Sequence, residues 1–346
     1  MDTITNSTTS PNETGNNKAT INVLDPNTSK LTFDIWLYGG IILIVLGTIG
    51  NSLSLAVMMR KNLRRHTTAL YLMVLAVVDT AVLYNWFVRN WTYAVSGIDT
   101  RLLSVASCKI HTFCSYFFVD FESWILVLVS FERLFAVFAP HRVRNIFTKK
   151  SAIIQITATG VFLVIVNLHF FWTQDLENGV CDAIERRYMY FSRVWNWIDF
   201  VICSFAPFAI MLSSNVAIIT RLVCLQKTKK QSSTNKRNNT MTLTLIIVTF
   251  VFFLTTGPLT VLVSTGYYWV QRANSNAELK TLSVIWASFN ILAYVNNAVN
   301  FILYCLSAPN FRKELAEMLH LEKCWKKIRV EPSSNTATVA PVQSSL

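Results

Sequence analysis

Apolar runs long enough to cross a lipid bilayer are the feature that most constrains how this chain folds. Seven of them follow one another along the 346 residues, and we call them spans 1 to 7. They cover residues 34–59, 69–94, 106–138, 150–172, 191–225, 238–269 and 279–305. A helix of about 20 residues crosses about 30 Å of hydrocarbon, and no run alternates as the strands of a membrane barrel do. The sequence therefore predicts an all-α membrane protein, a seven-transmembrane helix bundle over residues 34–305.

The distribution of Lys and Arg predicts which side of the membrane each end of the chain occupies. Basic residues are concentrated after spans 1, 3, 5 and 7, for example at Arg64, Arg142, Lys229 and Lys326, whereas the other connections mix both signs. Because cytoplasmic loops carry an excess of positive charge, we expect an extracellular N-terminus in the plasma membrane. The net charge of +12 then faces anionic membrane lipid and cytosolic partners, and no nucleic acid is needed to explain it.

Both ends of the chain are polar and are predicted to be disordered. Residues 1–33 form the outer tail, which lacks the hydrophobic core of a cleavable signal, so we expect span 1 to act as the membrane anchor. Three Asn-X-Ser/Thr sites in this tail are predicted to be glycosylated, at Asn6, Asn12 and Asn27. On the inner side, residues 308–321 predict an amphipathic helix 8, and residues 322–346 predict a cytoplasmic tail.

Residues that would support catalysis do not cluster in this sequence. The five histidines are scattered over both sides of the membrane, and neither a Gly-rich phosphate loop nor a Ser nucleophile elbow is present. We therefore expect no enzyme activity and no cofactor other than a sodium ion, considered below. A transporter or channel is disfavoured because no inverted repeat and no pair of broken spans is visible.

Single residues in a fixed order along the spans carry a family resemblance. They are Gly50-Asn51, Leu75 to Asp79, Cys108, Glu132-Arg133-Leu134, Cys181, Pro207, Phe252 with Pro258, Asn300 to Tyr304, and Asn310-Phe311-Arg312. With these residues the chain resembles rhodopsin-like (class A) G-protein-coupled receptors, most of all neuropeptide receptors. The resemblance implies an extracellular ligand, a heterotrimeric G protein and arrestin as partners. It also implies a disulfide between Cys108 and Cys181, which both face the oxidising side of the membrane.

Several positions depart from the pattern of this family. Thr256 stands where the family has a tryptophan in span 6, Asn215 stands where it has a tyrosine in span 5, and Phe301 replaces the proline of span 7. These changes remove residues that the family uses to switch between its inactive and active states. A receptor that signals without a ligand is therefore kept as an alternative. Pro258 still removes one backbone hydrogen bond and so still offers a hinge in span 6.

Polar side chains within apolar helices are costly in hydrocarbon, so they are predicted to face the bundle interior. The candidates are Asn51, Asp79, Glu122, Asn296, Asn297 and Asn300. The resemblance implies a sodium and water pocket at Asp79 and Asn300, and Glu122 adds a second carboxylate. Because two carboxylates in one small pocket cannot both ionise without a cation, we expect Asp79 and Glu122 either to bind sodium or to share a proton. Alternatively, Glu122 is neutral and only forms hydrogen bonds between helices.

The outer halves of the spans predict the class of ligand. Span 7 has no lysine for a retinal Schiff base, and Ser115 stands where an amine receptor has an aspartate. We expect a peptide ligand, with a small non-amine metabolite or a lipid as the alternative. The ligand-binding candidates are Arg89, Tyr116, Trp195, Asp199, Tyr267, Trp286 and Asn290. Two further readings stay open: the aromatic residues can anchor the bundle at the membrane interface, and Arg89 and Asp199 can pair with protein neighbours.

An acid and a base, Glu132 and Arg133, stand side by side where span 3 ends on the inner side. We expect Glu132 to hold Arg133 at rest, and release of this pair to free Arg133 for the G protein. Tyr304 is the third residue of the predicted coupling site. The alternative is an ion pair on the surface, worth under about 1 kcal/mol.

Overall fold

The structure is a computed structural model, and it describes residues 28–177, 179–182, 194–195, 197–227 and 233–320. Within these ranges the side chains at positions 144, 203, 225–227, 233–245 and 267 are not described. The predicted glycosylation sites Asn6, Asn12 and Asn27 and the cytoplasmic tail lie outside the described residues.

Long helices follow the predicted spans throughout the described ranges. They are Lys30–Met58 (span 1), Thr67–Ser96 (span 2), Val105–Phe138 (span 3), Lys149–Asn167 (span 4), Phe200–Phe205 with Ala206–Lys227 (span 5), Ser233–Arg272 (span 6) and Asn276–Ser307 (span 7). Shorter helices are Thr100–Leu103, Pro140–Ile146, Phe170–Thr173 and helix 8, Pro309–Met318. Wide turns of π-helix interrupt spans 1, 2 and 5 at Ile35–Gly39, Leu83–Phe87 and Phe200–Phe205.

Span 3 differs from the other membrane helices in its polar content. The other six spans are each long and apolar enough to cross a membrane. Span 3 has 34 residues, which is ample for crossing, and it buries the carboxylates of Asp120, Glu122 and Glu132. It packs against spans 2, 4 and 5, so these carboxylates face protein rather than lipid. The seven spans together form the predicted helix bundle.

The bundle exposes apolar side chains and buries polar ones, the reverse of a water-soluble protein. Ile42, Phe250 and Leu254 are 56%, 62% and 53% exposed, whereas Asn51 and Asp79 are 2% and 0% exposed. Lipid tails satisfy apolar side chains, and buried polar groups need protein partners. The outer surface is therefore suited to a bilayer, and the polar interior marks where function is expected.

The connection between spans 4 and 5 begins with a short hairpin that is covalently tied to span 3. Strands Asp175–Glu177 and Val180–Asp182 pair antiparallel around Gly179, whose φ of 76° lies in the region that favours glycine. Cys181 on the second strand is bonded to Cys108, with their Cα atoms 5.7 Å apart. The predicted disulfide is thus confirmed, and it holds the hairpin over the outer end of span 3.

Spans 1 and 2 approach closely because glycine lies at their contact. A Cβ atom added at Gly40 would lie 1.3 Å from the ring of Phe87. That ring is 1% exposed and packs against Trp36 and Tyr294, with ring centroids 6.3 and 6.5 Å away. Because the ring is enclosed on several sides, it cannot move aside without repacking its neighbours.

We expect Gly40→Ala to destabilise the bundle by about 2 kcal/mol, since overpacking a filled core costs about 1–3 kcal/mol. Thermal unfolding of the purified protein measures this loss. Gly160→Ala is the matched control, because its Cβ would meet the nearest atoms, on Phe121, at an ordinary 3.7 Å. Equal melting temperatures for the two variants would contradict the close packing at Gly40.

Helix 8 is attached to the connection between spans 1 and 2. Arg60 donates from Nε to Glu314 Oε2 at 2.8 Å, and Asn62 donates from Nδ2 to Glu314 Oε1 at 2.7 Å. Burial alone would raise the pKa of Glu314, but the hydrogen bonds from Arg60 and Asn62 outweigh it and hold the pKa below its ordinary value. Glu314 therefore stays ionised at neutral pH. Phe311, 2% exposed, fixes the apolar side of the helix against Tyr304.

Candidate functional site

Five buried side chains from spans 2, 3 and 7 meet in the middle of the bundle, and we call them the polar core. They are Asp79, Glu122, Asn296, Asn297 and Asn300, each 3% exposed or less. Asn297 donates from Nδ2 to both carboxylates, to Asp79 Oδ1 at 3.1 Å and to Glu122 Oε2 at 2.7 Å. Asn300 donates to Asp79 Oδ2 at 2.8 Å, and Asn296 donates to Glu122 Oε1. Asn297 therefore bridges the two carboxylates that the sequence predicts to share one pocket.

Oxygen atoms around the polar core have no hydrogen-bond donor among the described residues. They are Oδ1 of Asn51, Asn296 and Asn300 and Oγ of Ser54. Asn51 belongs to the same region because its Nδ2 donates to the backbone oxygen of Asn297 at 3.0 Å. Carboxylate and carboxamide oxygens are the ligands that hard cations prefer. The residues therefore fit a sodium ion, and they equally fit a proton shared by the two acids.

A cavity, which we call the central cavity, extends outward from the polar core. Trp86, Tyr116 and Asp199 line its outer part, and Glu122 and Asn297 line its inner end. Tyr116 and Asp199 are thus two ligand-binding candidates that the fold places in one cavity. A ligand bound there would lie above side chains of the polar core.

The other described candidates from spans 5 and 7 do not line the central cavity. Trp195 packs against His169, with ring centroids 3.9 Å apart. Trp286 is 7% exposed and lies in an apolar cluster between spans 6 and 7. Asn290 donates to the backbone oxygen of Trp286 at 2.8 Å, and the side chain of Tyr267 lies outside the described part. The role of these residues in ligand binding stays a prediction.

Arg89, predicted to bind a ligand carboxylate, is paired within the protein. It donates from Nε and Nη2 to the two carboxylate oxygens of Asp99, at 2.9 and 2.7 Å. Arg101 binds the same carboxylate at 3.1 Å. Burial alone would raise the pKa of Asp99, but the hydrogen bonds and charges of Arg89 and Arg101 outweigh it and hold the pKa well below its usual range. Of the two predictions for Arg89, the structure has the second, in which Arg89 pairs with a neighbouring residue of the protein.

We expect Asp99→Asn to destabilise the outer end of the bundle by about 2 kcal/mol, because it leaves two arginines without their anion. The figure is below that of a fully buried pair, since the group lies beyond the end of span 2 near water. Thermal unfolding of the purified protein measures the loss. Glu177→Gln, at an exposed position of the nearby hairpin, is the control. A wild-type melting temperature for Asp99→Asn would show that the ion pairs contribute nothing.

The Glu132–Arg133 pair is buried at the inner end of span 3. Its side chains lie 3.2 Å apart between Arg133 Nη2 and Glu132 Oε2, and the residues are 9% and 3% exposed. Glu132 also accepts hydrogen bonds from Thr68 at 2.8 Å and from Thr67, and Arg133 donates to Thr68. The alternative of a surface ion pair is therefore wrong, because the pair is enclosed by the start of span 2.

Sequence reasoning missed several partners of these groups. Thr67 and Thr68, at the start of span 2, bind the Glu132–Arg133 pair. The sequence signal for this contact was two consecutive threonines on the same side of the membrane as the acid–base pair. Asp99 gave a weaker signal, because its pairing with Arg89 depends on how the chain turns after span 2. Tyr304, predicted to act with Arg133, is 2% exposed and contacts Phe311 with ring centroids 5.6 Å apart.

A model of the 7 transmembrane receptor (rhodopsin family) matches residues 50–304, which include the polar core and the Glu132–Arg133 pair. Proteins of this family are receptors and not enzymes. The chain belongs to this family, which makes it a G-protein-coupled receptor.

Named relatives are similar over most of their length. Galanin receptor type 1 of Mus musculus is 23% identical over 85% of this chain and 84% of its own. Allatostatin-A receptor of Bombyx mori is 24% identical over 80% and 77%. Galanin receptor 2b of Danio rerio is 26% identical over 85% and 78%.

Proposed function

We propose that a peptide activates this receptor by entering the central cavity from outside the cell. The central cavity is the observation that carries the proposal, because aromatic and polar side chains from several spans surround one space inside the bundle. Asp199 offers a carboxylate to a ligand amine or guanidinium, and Tyr116 and Trp86 offer aromatic surface. The similarity to receptors for galanin and allatostatin-A supports a neuropeptide over a metabolite or a lipid.

The inner side of the bundle supports a mechanism of population shift. A ligand that binds better to a state with span 6 moved outward raises the population of that state. Pro258 lies inside span 6, where it removes a helical hydrogen bond and allows bending. In that state Arg133 leaves Glu132 and contacts a G-protein helix in the opened groove. The ligand and the G protein then each strengthen the binding of the other.

The polar core is proposed to compensate its two acids with sodium or with a shared proton. Asp79, Glu122 and the carboxamide oxygens of Asn51, Asn296 and Asn300 would hold the ion, which would supply positive charge. Replacing sodium by potassium at constant ionic strength, and separately varying pH, distinguishes the two forms through the melting temperature of purified receptor. Independence from both would refute both forms and favour a permanently neutral Glu122.

The proposed location is the plasma membrane with the N-terminus outside. The concentration of basic residues on one side supports this orientation. The same basic face would contact anionic lipid and would bind arrestin after activation. Glycosidase treatment of the expressed protein tests the orientation: loss of mass in the wild type but not in a variant with Asn6, Asn12 and Asn27 replaced by Gln supports an outer tail.

A neuropeptide library applied to cells that express the receptor with a promiscuous G protein tests the peptide proposal. The expected result is a dose-dependent signal from one peptide or one related group. Arg133→Ala is the matched control, and it should keep surface abundance while abolishing the signal. If every peptide is silent while a lipid or a small metabolite signals, the proposal fails. High output without any ligand would instead indicate a constitutively active receptor.

A further inference from the structure

The central cavity has an acidic lining from its outer part to its inner end. Asp120, Glu122 and Asp199 all line it, and no Lys or Arg does so among its described lining residues. Asp120 already accepts a hydrogen bond from Asn167 at 2.8 Å, whereas Glu122 belongs to the polar core. The electrostatic field in such a cavity favours a positive charge near its inner end.

The polar core supplies a second and independent indication. Glu122 accepts hydrogen bonds from Asn296 and Asn297, one on each carboxylate oxygen. Asn296 is 1% exposed, and its Oδ1 has no donor among the described residues. This oxygen belongs to the same carboxamide as the nitrogen that donates to Glu122, and Asn297, the other donor to Glu122, lines the central cavity. A group with several N–H donors and a positive charge would satisfy both acceptors.

Thr256 determines whether a ligand group can reach this place from outside. Its side chain lines the central cavity together with Glu122 and Phe252. Its hydroxyl donates to the backbone oxygen of Phe252 in the same helix at 2.7 Å, so the small side chain stays on span 6. The cavity consequently continues past Thr256 to Glu122 and Asn297.

We propose that the central cavity binds a ligand whose primary ammonium or guanidinium group, on an unbranched stem, passes Thr256 and pairs with Glu122. This inference rests on the proposed function only because it takes the central cavity as the ligand site. It restricts the proposed peptide ligands to those that carry an ammonium or guanidinium group at the buried end. The ligand cation would take the place of a sodium ion or a proton at Glu122. Binding of the ligand would therefore exclude sodium from this place, and bound sodium would exclude the ligand.

Thermal unfolding of the purified full-length receptor with n-butylguanidinium chloride tests the proposal in potassium buffer of constant ionic strength. The wild type should gain several degrees in melting temperature in a dose-dependent way, and the neutral n-butylurea should not stabilise it. Addition of sodium should weaken the gain. Glu122→Gln should remove it. So should Thr256→Trp, which closes the passage and leaves the polar core intact, whereas Gly257→Ala, the neighbouring control, should keep it.

Equal stabilisation by both probes would overturn the proposal, because it would indicate apolar binding. A gain that persists in Thr256→Trp would overturn it as well, even if Glu122→Gln does not fold. The assay uses neither peptide nor G protein. Loss of the gain with intact peptide signalling therefore refutes this inference alone, and the reverse result refutes the peptide proposal alone.

Discussion

Replacing Glu132 by Gln is expected to raise ligand-independent G-protein signalling by about tenfold. The substitution keeps the shape of the side chain and removes the charge that holds Arg133, with which it pairs at 3.2 Å in a buried site. A hydrogen bond to a charged group contributes about 1.5–3 kcal/mol, and about 1.4 kcal/mol is a tenfold shift between two states. Second-messenger output per receptor at the cell surface measures the effect.

Glu278→Gln is the control for Glu132→Gln, because it makes the same change at the exposed outer end of span 7. Basal output should not change in this variant. Thr68→Val should give an intermediate rise, since it removes a hydrogen bond to Glu132 without removing the charge. Unchanged basal output in Glu132→Gln at normal surface abundance would mean that the pair does not restrain the receptor.

Asn297→Leu is expected to destabilise the receptor by about 3 kcal/mol or more. It removes the one amide that donates to both Asp79 and Glu122, and each hydrogen bond to a charged group contributes about 1.5–3 kcal/mol. The melting temperature of purified receptor in detergent measures this loss. The loss should be smaller when Glu122→Gln is already present, because neighbouring sites couple.

Asn290→Leu is the matched control for Asn297→Leu. Asn290 lies in the same span, is 1% exposed and donates to the backbone oxygen of Trp286. Because this acceptor is a neutral carbonyl and not an acid, loss of the side chain should cost about 1 kcal/mol. Similar melting temperatures for the two variants would show that Asn297 does not compensate the two acids.

The helices of the fold were predictable because a bilayer demands long apolar runs, and each run became a helix. The disulfide between Cys108 and Cys181 was also predictable, since the predicted orientation puts both cysteines on the oxidising side. The wide turns at Ile35–Gly39 and Leu83–Phe87 were not. One extra residue per turn changes neither composition nor hydropathy, so it leaves no pattern in the sequence.

In the candidate site, the shared pocket of Asp79 and Glu122 and the pairing of Glu132 with Arg133 were predictable, whereas the amide and hydroxyl groups that bind them were not. Asp79 and Glu122 had to face inward because lipid cannot solvate them. That Asn297 rather than Asn296 would reach both depends on how spans 2, 3 and 7 pack. Arg89 pairs with Asp99 because the chain turns back at Gly97, whose φ is 71°. Hydropathy places Arg89 and Asp99 at a similar depth in the membrane, but it does not predict the turn that brings their side chains into contact.

Binding of the most potent library peptide to purified receptor, with and without G protein, tests the central claim most directly. The account predicts that G protein raises peptide affinity severalfold and that the peptide raises G-protein affinity by the same factor. Arg133→Ala should remove both increases and leave the affinity without G protein unchanged. Equal peptide affinity in the presence and absence of G protein would contradict the account.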